Sequence, residues 1–437
     1  MPPPDGLVPR LERILRAKQT DGLPSLAAAV VRGGETAWSD AVGTADYEAG
    51  SEATPETQYR IGSITKTFTA VAVMMLRDEG LLDLDDRLEQ HVPGIANGSP
   101  TIRRMLAHLS GLQREPGDMW VDGVAPTLEA MVAGMADYEL VLPPARAHHY
   151  SNLAYGMLGE IVARRSGLPY TEFVDVRIFA PAGLRRTSWE ETPPRAAGYM
   201  VDEYAGTVMR EPHTPLDGIA AMGQLWSTVG DLARWGMVLV GGLDGVVAEA
   251  TAEEMWAPQV ILNPDDWTVG WGLGLELLNH SGRIFGGHTG AMPGFLAGLH
   301  LHRESKTGAA VLTNSGTRAA TRDIAVELAE ATLELWPPDI ELWRPESAPP
   351  PEIVPILGRW WSEGMEFVFS WREGKLQATI PGAPPRVRPT VFESIGDGVY
   401  RAVSGREQGE RLRVEADDRL VWSGYLFTRS QEQTPGA

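Results

Sequence analysis

The sequence has no cysteine among its 437 residues. Disulfide bonds, thiolate nucleophiles and zinc–thiolate sites are therefore all excluded. Long apolar runs are also missing, since the longest, over residues 68–76, is far shorter than the ~20 residues that a membrane-spanning helix needs. No apolar segment with a small-residue cleavage site follows Met1. The sequence thus predicts no signal peptide, no membrane contact and a cytoplasmic protein.

Positive charge is scarce. The chain has 38 Lys and Arg residues against 58 Asp and Glu residues, which gives a formal net charge of -20. A chain this acidic repels phosphate backbones and anionic membranes, so we expect no nucleic-acid partner. The hydrophobic fraction of 43% and the charged fraction of 22% are ordinary for a globular protein. The length leaves room for two or three domains.

The order of the predicted elements indicates an α+β fold. A strand pair lies near the N-terminus, helices occupy the middle, and three strands and a helix follow, so an antiparallel sheet would be assembled from both chain ends with a helical subdomain beside it. Residues 113–149 are rich in Pro, Gly and Trp and are expected to form a helical lid or wall. The predicted helices cover residues 6–19, 63–80, 101–112, 153–166, 229–240 and 319–335, and the strands cover residues 26–31, 36–42, 283–287, 295–302 and 308–314.

The last hundred residues follow a different pattern. Prolines predict a stiff linker over residues 337–352. Residues 353–430 contain no helical pattern, and seven short strand candidates predict a small all-β barrel. The last of these candidates covers residues 420–427. We therefore expect a catalytic domain over 1–336, the linker, the barrel and a tail over 431–437.

Ser63 and Lys66 stand at the start of an apolar helix. At a spacing of i and i+3 the two side chains share one helical face, so the Lys66 amine can reach the Ser63 hydroxyl. A serine hydroxyl is a weak nucleophile and needs such a neighbouring base. Gly62 lets the chain turn sharply into the helix, and the free N–H groups there favour a developing oxyanion.

Two further motifs accompany this pair. Tyr150 and Asn152 precede the helix at residues 153–166, and His288, Thr289 and Gly290 lie on a Gly-rich strand. Together the three motifs resemble S-x-x-K, Y-x-N and [KH]-[TS]-G of the penicillin-recognising serine enzymes, which include penicillin-binding proteins and class C β-lactamases. The resemblance covers about residues 6–335 and implies a β-lactamase-like fold. The predicted barrel resembles the lipocalin-like domain that follows the catalytic domain in some of these enzymes.

The resemblance implies an acyl-enzyme formed on Ser63. Tyr150 could act as the general base if the Lys66 ammonium lowers the pKa of its phenol, or neutral Lys66 could itself be the base. Both alternatives stay open at this point. Asn152 would hydrogen-bond Lys66 and the substrate amide.

The remaining predicted site residues follow from the same resemblance. The backbone N–H groups of Ser63 and Ala291 would form the oxyanion hole. Substrate would also meet Thr289, Gly290 and Trp226. Arg429, late in the last predicted strand, is a candidate to hold a substrate carboxylate, although a solvated strand-end arginine fits the pattern as well.

Position 288 departs from the β-lactamases, which carry lysine there. Histidine is neutral or only partly charged near pH 7, and no carboxylate is evident that could activate a deacylating water. Antibiotic hydrolysis is therefore not expected. The resemblance favours a penicillin-binding-protein-type thioesterase that takes a nonribosomal peptidyl thioester with a C-terminal D-residue from a carrier protein and cyclises it. The alternatives are a D-aminopeptidase or amidase, a carboxylesterase, and a non-catalytic receptor.

Other patterns point to structure more than to a site. His300 and His302 share one face of a strand without a third ligand, so a solvent-facing pair is favoured over a metal site. His148 and His149 adjoin Tyr150 and are expected to form part of the pocket wall. No nucleotide-binding motif appears, and no cofactor or metal is predicted.

Overall fold

The chain forms two compact units in a computed structural model, Met1–Pro338 and Asp339–Ala437. The structure describes residues 2–317, 319–339, 342, 344–345, 347–384, 387–416 and 418–431. Residues 340, 341, 343 and 346 of the predicted linker and residues 432–437 of the predicted tail lie outside the described residues. No helix in the described part of the chain is long and apolar enough to cross a membrane.

A nine-stranded antiparallel sheet forms the centre of the first unit, counted over its described residues. In spatial order its strands are β3 (Ser51–Glu52), β2 (Glu35–Asp46), β1 (Ser25–Arg32), β13 (Thr307–Thr313), β12 (Phe295–His302), β11 (Arg283–Met292), β10 (Glu276–His280), β9 (Val269–Trp271) and β8 (Val260–Ile261). Strand β1 pairs with both β2 and β13. The predicted sheet built from both chain ends is confirmed.

Helices cover the sheet and form the adjoining subdomain. In chain order they are α1 (Leu7–Gln19), α2 (Thr65–Asp78), α3 (Leu88–His91), α4 (Ile102–Leu106), α5 (Met119–Asp122), α6 (Leu128–Gly134), α7 (Asn152–Ser166), α8 (Tyr170–Val174), α9 (Ala180–Ala182), α10 (Val229–Gly241), α11 (Glu249–Met255) and α12 (Thr321–Leu335). Helix α1 buries Leu7, Leu11 and Leu15, whose spacing of four residues lines one helical face. They join a core with β1 and α12.

Two short strand pairs complete the first unit. Strand β4 (Tyr59–Arg60) pairs with β7 (Trp226–Ser227), and β5 (Tyr199–Asp202) pairs with β6 (Thr207–Arg210). Strands β8, β9 and β10 are not predicted from the sequence. The glycines at positions 270, 272 and 274 interrupt this stretch, and strands of two to five residues give too few positions for an alternating pattern to show.

A sharp turn brings the start of α2 against β11. Gly62 has a φ of 48°, and a Cβ atom there would lie 2.7 Å from the backbone nitrogen of Ala291. A Cβ atom on Gly290 would lie 1.8 Å from the carbonyl oxygen of Ile61. Only glycine permits these two backbones to approach so closely. The contact places Ser63 beside the strand that carries His288.

The second unit is a closed antiparallel barrel of eight strands in its described residues. They are β14 (Gly358–Ser362), β15 (Met365–Arg372), β16 (Lys375–Thr379), β17 (Thr390–Gly396), β18 (Val399–Ala402), β19 (Arg411–Ala416), β20 (Arg419–Trp422) and β21 (Tyr425–Thr428). The predicted barrel is confirmed, but the single strand predicted over 420–427 is wrong. Ser423 and Gly424 adopt positive φ values there and form the turn of a β20–β21 hairpin.

Candidate active site

Ser63 and Lys66 are in direct contact. The 3-10 turn Gly62–Ile64 leads straight into α2, so both side chains lie on the same face. The distance from Lys66 Nζ to Ser63 Oγ is 3.0 Å, and Lys66 also donates to the carbonyl oxygen of Met222. Lys66 is fully buried. The amine is thus held against the hydroxyl, as a base for a nucleophilic serine must be.

Burial decides which group can accept the Ser63 proton. It lowers the pKa of Lys66 to about 7, although Glu115 nearby opposes this change. Tyr150 hydrogen-bonds Ser63, but its own burial raises the pKa of the phenol above its usual range. The alternative in which the Lys66 ammonium lowers the Tyr150 pKa is not supported, because removal from water penalises the phenolate more than the hydrogen bond stabilises it. Lys66 is therefore the better base.

His108, which sequence reasoning did not single out, supports Tyr150 from one side. The two rings stack with centroids 4.1 Å apart. The Nδ1 atom of His108 accepts the backbone N–H of Ser151 at 3.1 Å, and its carbonyl oxygen accepts the N–H of His149 at 2.8 Å. These contacts fix the loop that carries Tyr150. His148 packs edge-on against His108, but neither His148 nor His149 is among the residues that line the cleft.

Asn152 is placed at the site but has a different partner from the predicted one. Its Nδ2 atom donates to Glu115 Oε1 at 2.7 Å, while Oδ1 is buried without a partner in the described part of the chain. The contacts of Lys66 go to Ser63 and Met222, so the predicted Lys66–Asn152 hydrogen bond is not seen. Asn152 instead holds a carboxylate beside the nucleophile.

Glu115 is the main residue that the sequence did not reveal. It lines the cleft with Ser63, and its Oε2 atom has no hydrogen-bond partner among the described residues. A carboxylate therefore lies in the cleft, where the sequence made none evident. Glu115 lies in the irregular segment before α5, where the sequence has no periodic pattern. The only feature that could have pointed to a functional residue there is the pair of adjacent charges, Arg114 and Glu115, before a Pro-Gly turn.

His288, Thr289, Gly290 and Ala291 line the cleft opposite Tyr150, as predicted. Burial, with the nearby Lys66 charge, lowers the pKa of His288 to about 4, so its imidazole is neutral at pH 7. Its Nδ1 atom lies 2.5 Å from the carbonyl oxygen of Thr289. This position therefore supplies no fixed positive charge. The approach of Gly290 to Ile61 brings Ala291 next to Ser63, as the proposed oxyanion hole requires.

The cleft has a volume of about 1,070 Å³ and extends well beyond the reactive groups. Trp120, on α5, and Met200, on β5, contribute to its lining. Trp271 also lines it and packs edge-on against Tyr150 with centroids 5.9 Å apart. The predicted wall over residues 113–149 does reach the cleft.

Two predicted substrate residues lie elsewhere. Trp226 is buried and lines a separate pocket with Arg60, so it is not part of the lining of the cleft. Arg429 lies in the barrel, where its guanidinium stacks 3.8 Å from the Trp360 ring and donates to the carbonyl oxygens of Leu357 and Arg359. Its donors are used within its own unit, so a substrate-holding role is not supported.

The His300 and His302 pair is not solvent-facing, contrary to the prediction. His300 is fully buried and its Nε2 atom lies 3.3 Å from Glu276 Oε2. His302 is partly buried against Ser305. No group of three or more His, Cys, Asp or Glu side chains that could hold a metal ion occurs in the described part of the chain.

The pKa of Lys66 sets the expected pH dependence of acylation. Only the neutral amine accepts a proton, so kcat/KM should rise with pH through a midpoint near 7, where half of Lys66 is deprotonated. His288, with a pKa near 4, should add no step above pH 5. Measurement of kcat/KM from pH 5 to 10, with circular dichroism to verify folding, checks this. A profile with no step between pH 6 and 8 would contradict the neutral Lys66 amine as the base.

The chain belongs to the β-lactamase family, whose model matches residues 11–333. This match places it in the superfamily of serine hydrolases that includes the penicillin-binding proteins. Residues 349–429 match a family described as a domain of unknown function (DUF7586).

Curated relatives of the chain include a β-lactamase-like protein and a penicillin-binding protein. Beta-lactamase-like protein 2 of Dictyostelium discoideum is 28% identical over 59% of this chain and 50% of its own length. Penicillin-binding protein 4* of Bacillus subtilis is 27% identical over 60% of this chain and 62% of its own length. The chain thus spans half to three-fifths of these two relatives.

Solved structures extend the likeness to both units. The octameric penicillin-binding protein homologue of Pyrococcus abyssi is 25% identical, with a TM-score of 0.67 over 97% of this chain and 100% of that chain. The D-amino acid amidase of Ochrobactrum anthropi is 26% identical, with a TM-score of 0.65 over 75% of this chain and 98% of that one. SurE, at 22% identity, shares the fold over 98% of both chains with a TM-score of 0.61.

Proposed function

We propose that the protein is a serine acyl-transfer enzyme that works through an acyl-Ser63 intermediate. The observation that carries this proposal is the buried Lys66 amine, whose pKa is near 7, 3.0 Å from Ser63 Oγ. A lysine that is part-neutral at pH 7 can accept the serine proton as the hydroxyl attacks. The family match and the three motifs support the same chemistry.

The acylation step uses the residues in fixed roles. Ser63 Oγ bonds to the substrate carbonyl carbon while its proton passes to Lys66 Nζ. The backbone N–H groups of Ser63 and Ala291 receive the oxyanion. When the carbonyl re-forms, the bond to the leaving nitrogen or sulfur breaks, and the proton returns from Lys66 to that atom. Tyr150, which stays neutral and hydrogen-bonds Ser63, is placed to relay this proton.

Glu115 indicates a substrate with a free amino group. Glu115 lines the cleft with Ser63. Its Oε2 atom is buried without a hydrogen-bond partner in the described residues, while Asn152 and Arg114 contact its other oxygen. A buried acceptor of this kind is satisfied by a charged donor. An α-ammonium group next to the reacting carbonyl would supply one.

The first candidate function is therefore hydrolysis of D-amino-acid amides or of amino-terminal D-residues. The likeness to a D-amino acid amidase supports the D configuration. The second candidate is the thioesterase that releases and cyclises a nonribosomal peptidyl thioester presented by a carrier protein in the cytoplasm. The barrel supports this candidate, because it resembles the domain that follows the catalytic domain in peptide-cyclising thioesterases. In that reaction, the amine is the group that deacylates Ser63.

Parallel assays distinguish the candidates. The substrates are D- and L-phenylalaninamide, a peptidyl thioester that ends in a D-residue, and a p-nitrophenyl ester. Turnover of the D-amide above the L-amide supports the first candidate, and cyclic product from the thioester supports the second. Turnover of the small ester alone would contradict both and leave a carboxylesterase.

Glu115→Gln tests the amine directly. Loss of one charged hydrogen bond should lower kcat/KM for D-phenylalaninamide roughly tenfold to a hundredfold. The N-acetylated amide, which has no charge for Glu115 to bind, serves as the matched substrate and should change far less. An equal loss on both substrates would show that Glu115 acts only through Asn152.

A further inference from the structure

The interior of the barrel is filled at one end and open at the other. Along β15 the inward row runs from Phe369, 1% exposed, through half-buried Phe367 to Met365, 52% exposed. Along β16 the row runs from Leu376, 1% exposed, through Ala378, and continues to Ile380, the residue after the strand, which is 40% exposed. In a filled barrel the inward side chains cover one another. The rise in side-chain exposure along these two strands therefore indicates that one end of the barrel is not filled.

The open end is a cup of about 690 Å³. This volume lies within the range of small-molecule sites, about 300–1,000 Å³. Aromatic rings form much of its wall: Trp422 packs edge-on against Phe392 and lies beside Phe427, with centroids 5.1 Å and 5.7 Å away. Its lining residues include Met365, Phe367, Ala378, Ile380, Val387, Trp422, Tyr425 and Phe427.

Two observations limit what the cup can hold. Trp422 is buried in the lining, and its indole N–H has no acceptor among the described residues, which is costly unless an occupant supplies one. The rim carries both signs of charge, with Glu363 and Glu407 against Arg388 and Arg406. A mixed rim gives no net preference for a charged head group. A neutral apolar molecule with one hydrogen-bond acceptor fits both observations.

We propose that the barrel cup is a binding site for one small, neutral, apolar molecule that carries a carbonyl acceptor. Eight strands enclose an interior that either is filled by side chains or holds one small ligand. In this barrel, side chains fill one end of the interior, and the ligand occupies the cup at the other end. The cup lies wholly within the barrel, so this inference does not depend on acyl transfer at Ser63.

The probe for this site is 6-propionyl-2-dimethylaminonaphthalene, a neutral aromatic ketone whose emission shifts to the blue in apolar surroundings. Titration of the full chain should give a saturable blue shift with one site per chain. Ala378→Phe fills the cup from within, and Ile380→Lys places a charge at its mouth. Each should weaken binding at least tenfold. Gln377→Phe, on the outward face of the same strand, is the matched control and should bind as the wild type does.

Two further measurements locate the probe. Trp422→Phe removes the indole N–H and should weaken binding of the ketone several-fold more than that of 2-dimethylaminonaphthalene, which has no carbonyl. Protein whose Ser63 has been blocked with a fluorophosphonate should still bind the probe. Circular dichroism melts verify that each variant is folded. Unchanged binding in Ile380→Lys, or loss of binding after the block at Ser63, would overturn the proposal.

Discussion

Ser63→Ala should lower kcat/KM for every substrate by at least about 10,000-fold. The hydroxyl oxygen of Ser63 is the atom that bonds to the acyl group, and among the described residues no other side chain hydrogen-bonds Lys66 Nζ. The methyl group of alanine fits where the serine stood, so the fold should survive. Initial rates on the best of the four assay substrates measure the loss.

The matched control for this variant is Ser305→Ala, which removes a serine hydroxyl elsewhere in the first unit. Ser305 contacts His302 and is not part of the cleft lining. Its variant should keep the wild-type rate. Residual activity above about one part in a hundred in Ser63→Ala would mean that another nucleophile carries the acyl group.

Lys66→Arg should lower kcat/KM roughly 1,000-fold, although it preserves the positive charge. Arginine is not deprotonated in proteins, so it cannot accept the Ser63 proton. If Lys66 acted only through its positive charge, arginine would replace it with little loss of activity. The experiment therefore separates a base from a fixed cation, which a substitution to alanine would not do.

Tyr150→Phe tests the other candidate base, and its loss of activity is to be compared with that of Lys66→Arg. Because the buried phenol stays protonated, removal of its hydroxyl takes away a relay and a hydrogen bond but not the base. The expected loss is about 100-fold, with the pH midpoint of kcat/KM still near 7. If Tyr150→Phe lost more than Lys66→Arg, or if it abolished the pH step, the phenolate would be the base after all.

The motifs at Ser63, Tyr150 and His288 could be read from the sequence because each depends on short spacing. Lys66 shares a helical face with Ser63 whatever the rest of the chain does. Gly62 marks the turn before α2, and Gly290 marks the point on β11 that this turn approaches. The same holds for α1 and for β1 with β2, where buried leucines or a Gly-containing hairpin give a local signal.

The electrostatics of the site could not be predicted in this way. The pKa values of Lys66 and Tyr150 follow from how completely each side chain is removed from water, which depends on packing by distant segments such as His108 and Trp271. Glu115 reaches Asn152 from a segment without periodicity, 37 residues earlier in the chain. Arg429 looked like an exposed strand-end cation, but the Trp360 ring and backbone carbonyls of its own barrel hold it.

The most direct test of the central claim is the intact mass of the protein after treatment with a fluorophosphonate. We expect one adduct per chain in the wild type, formed faster as the pH rises through 7, and no adduct in Ser63→Ala. An unchanged adduct in Ser63→Ala would mean that another nucleophile reacts, and no adduct on the folded wild type would favour the receptor alternative. Either result would contradict an acyl-transfer role for Ser63.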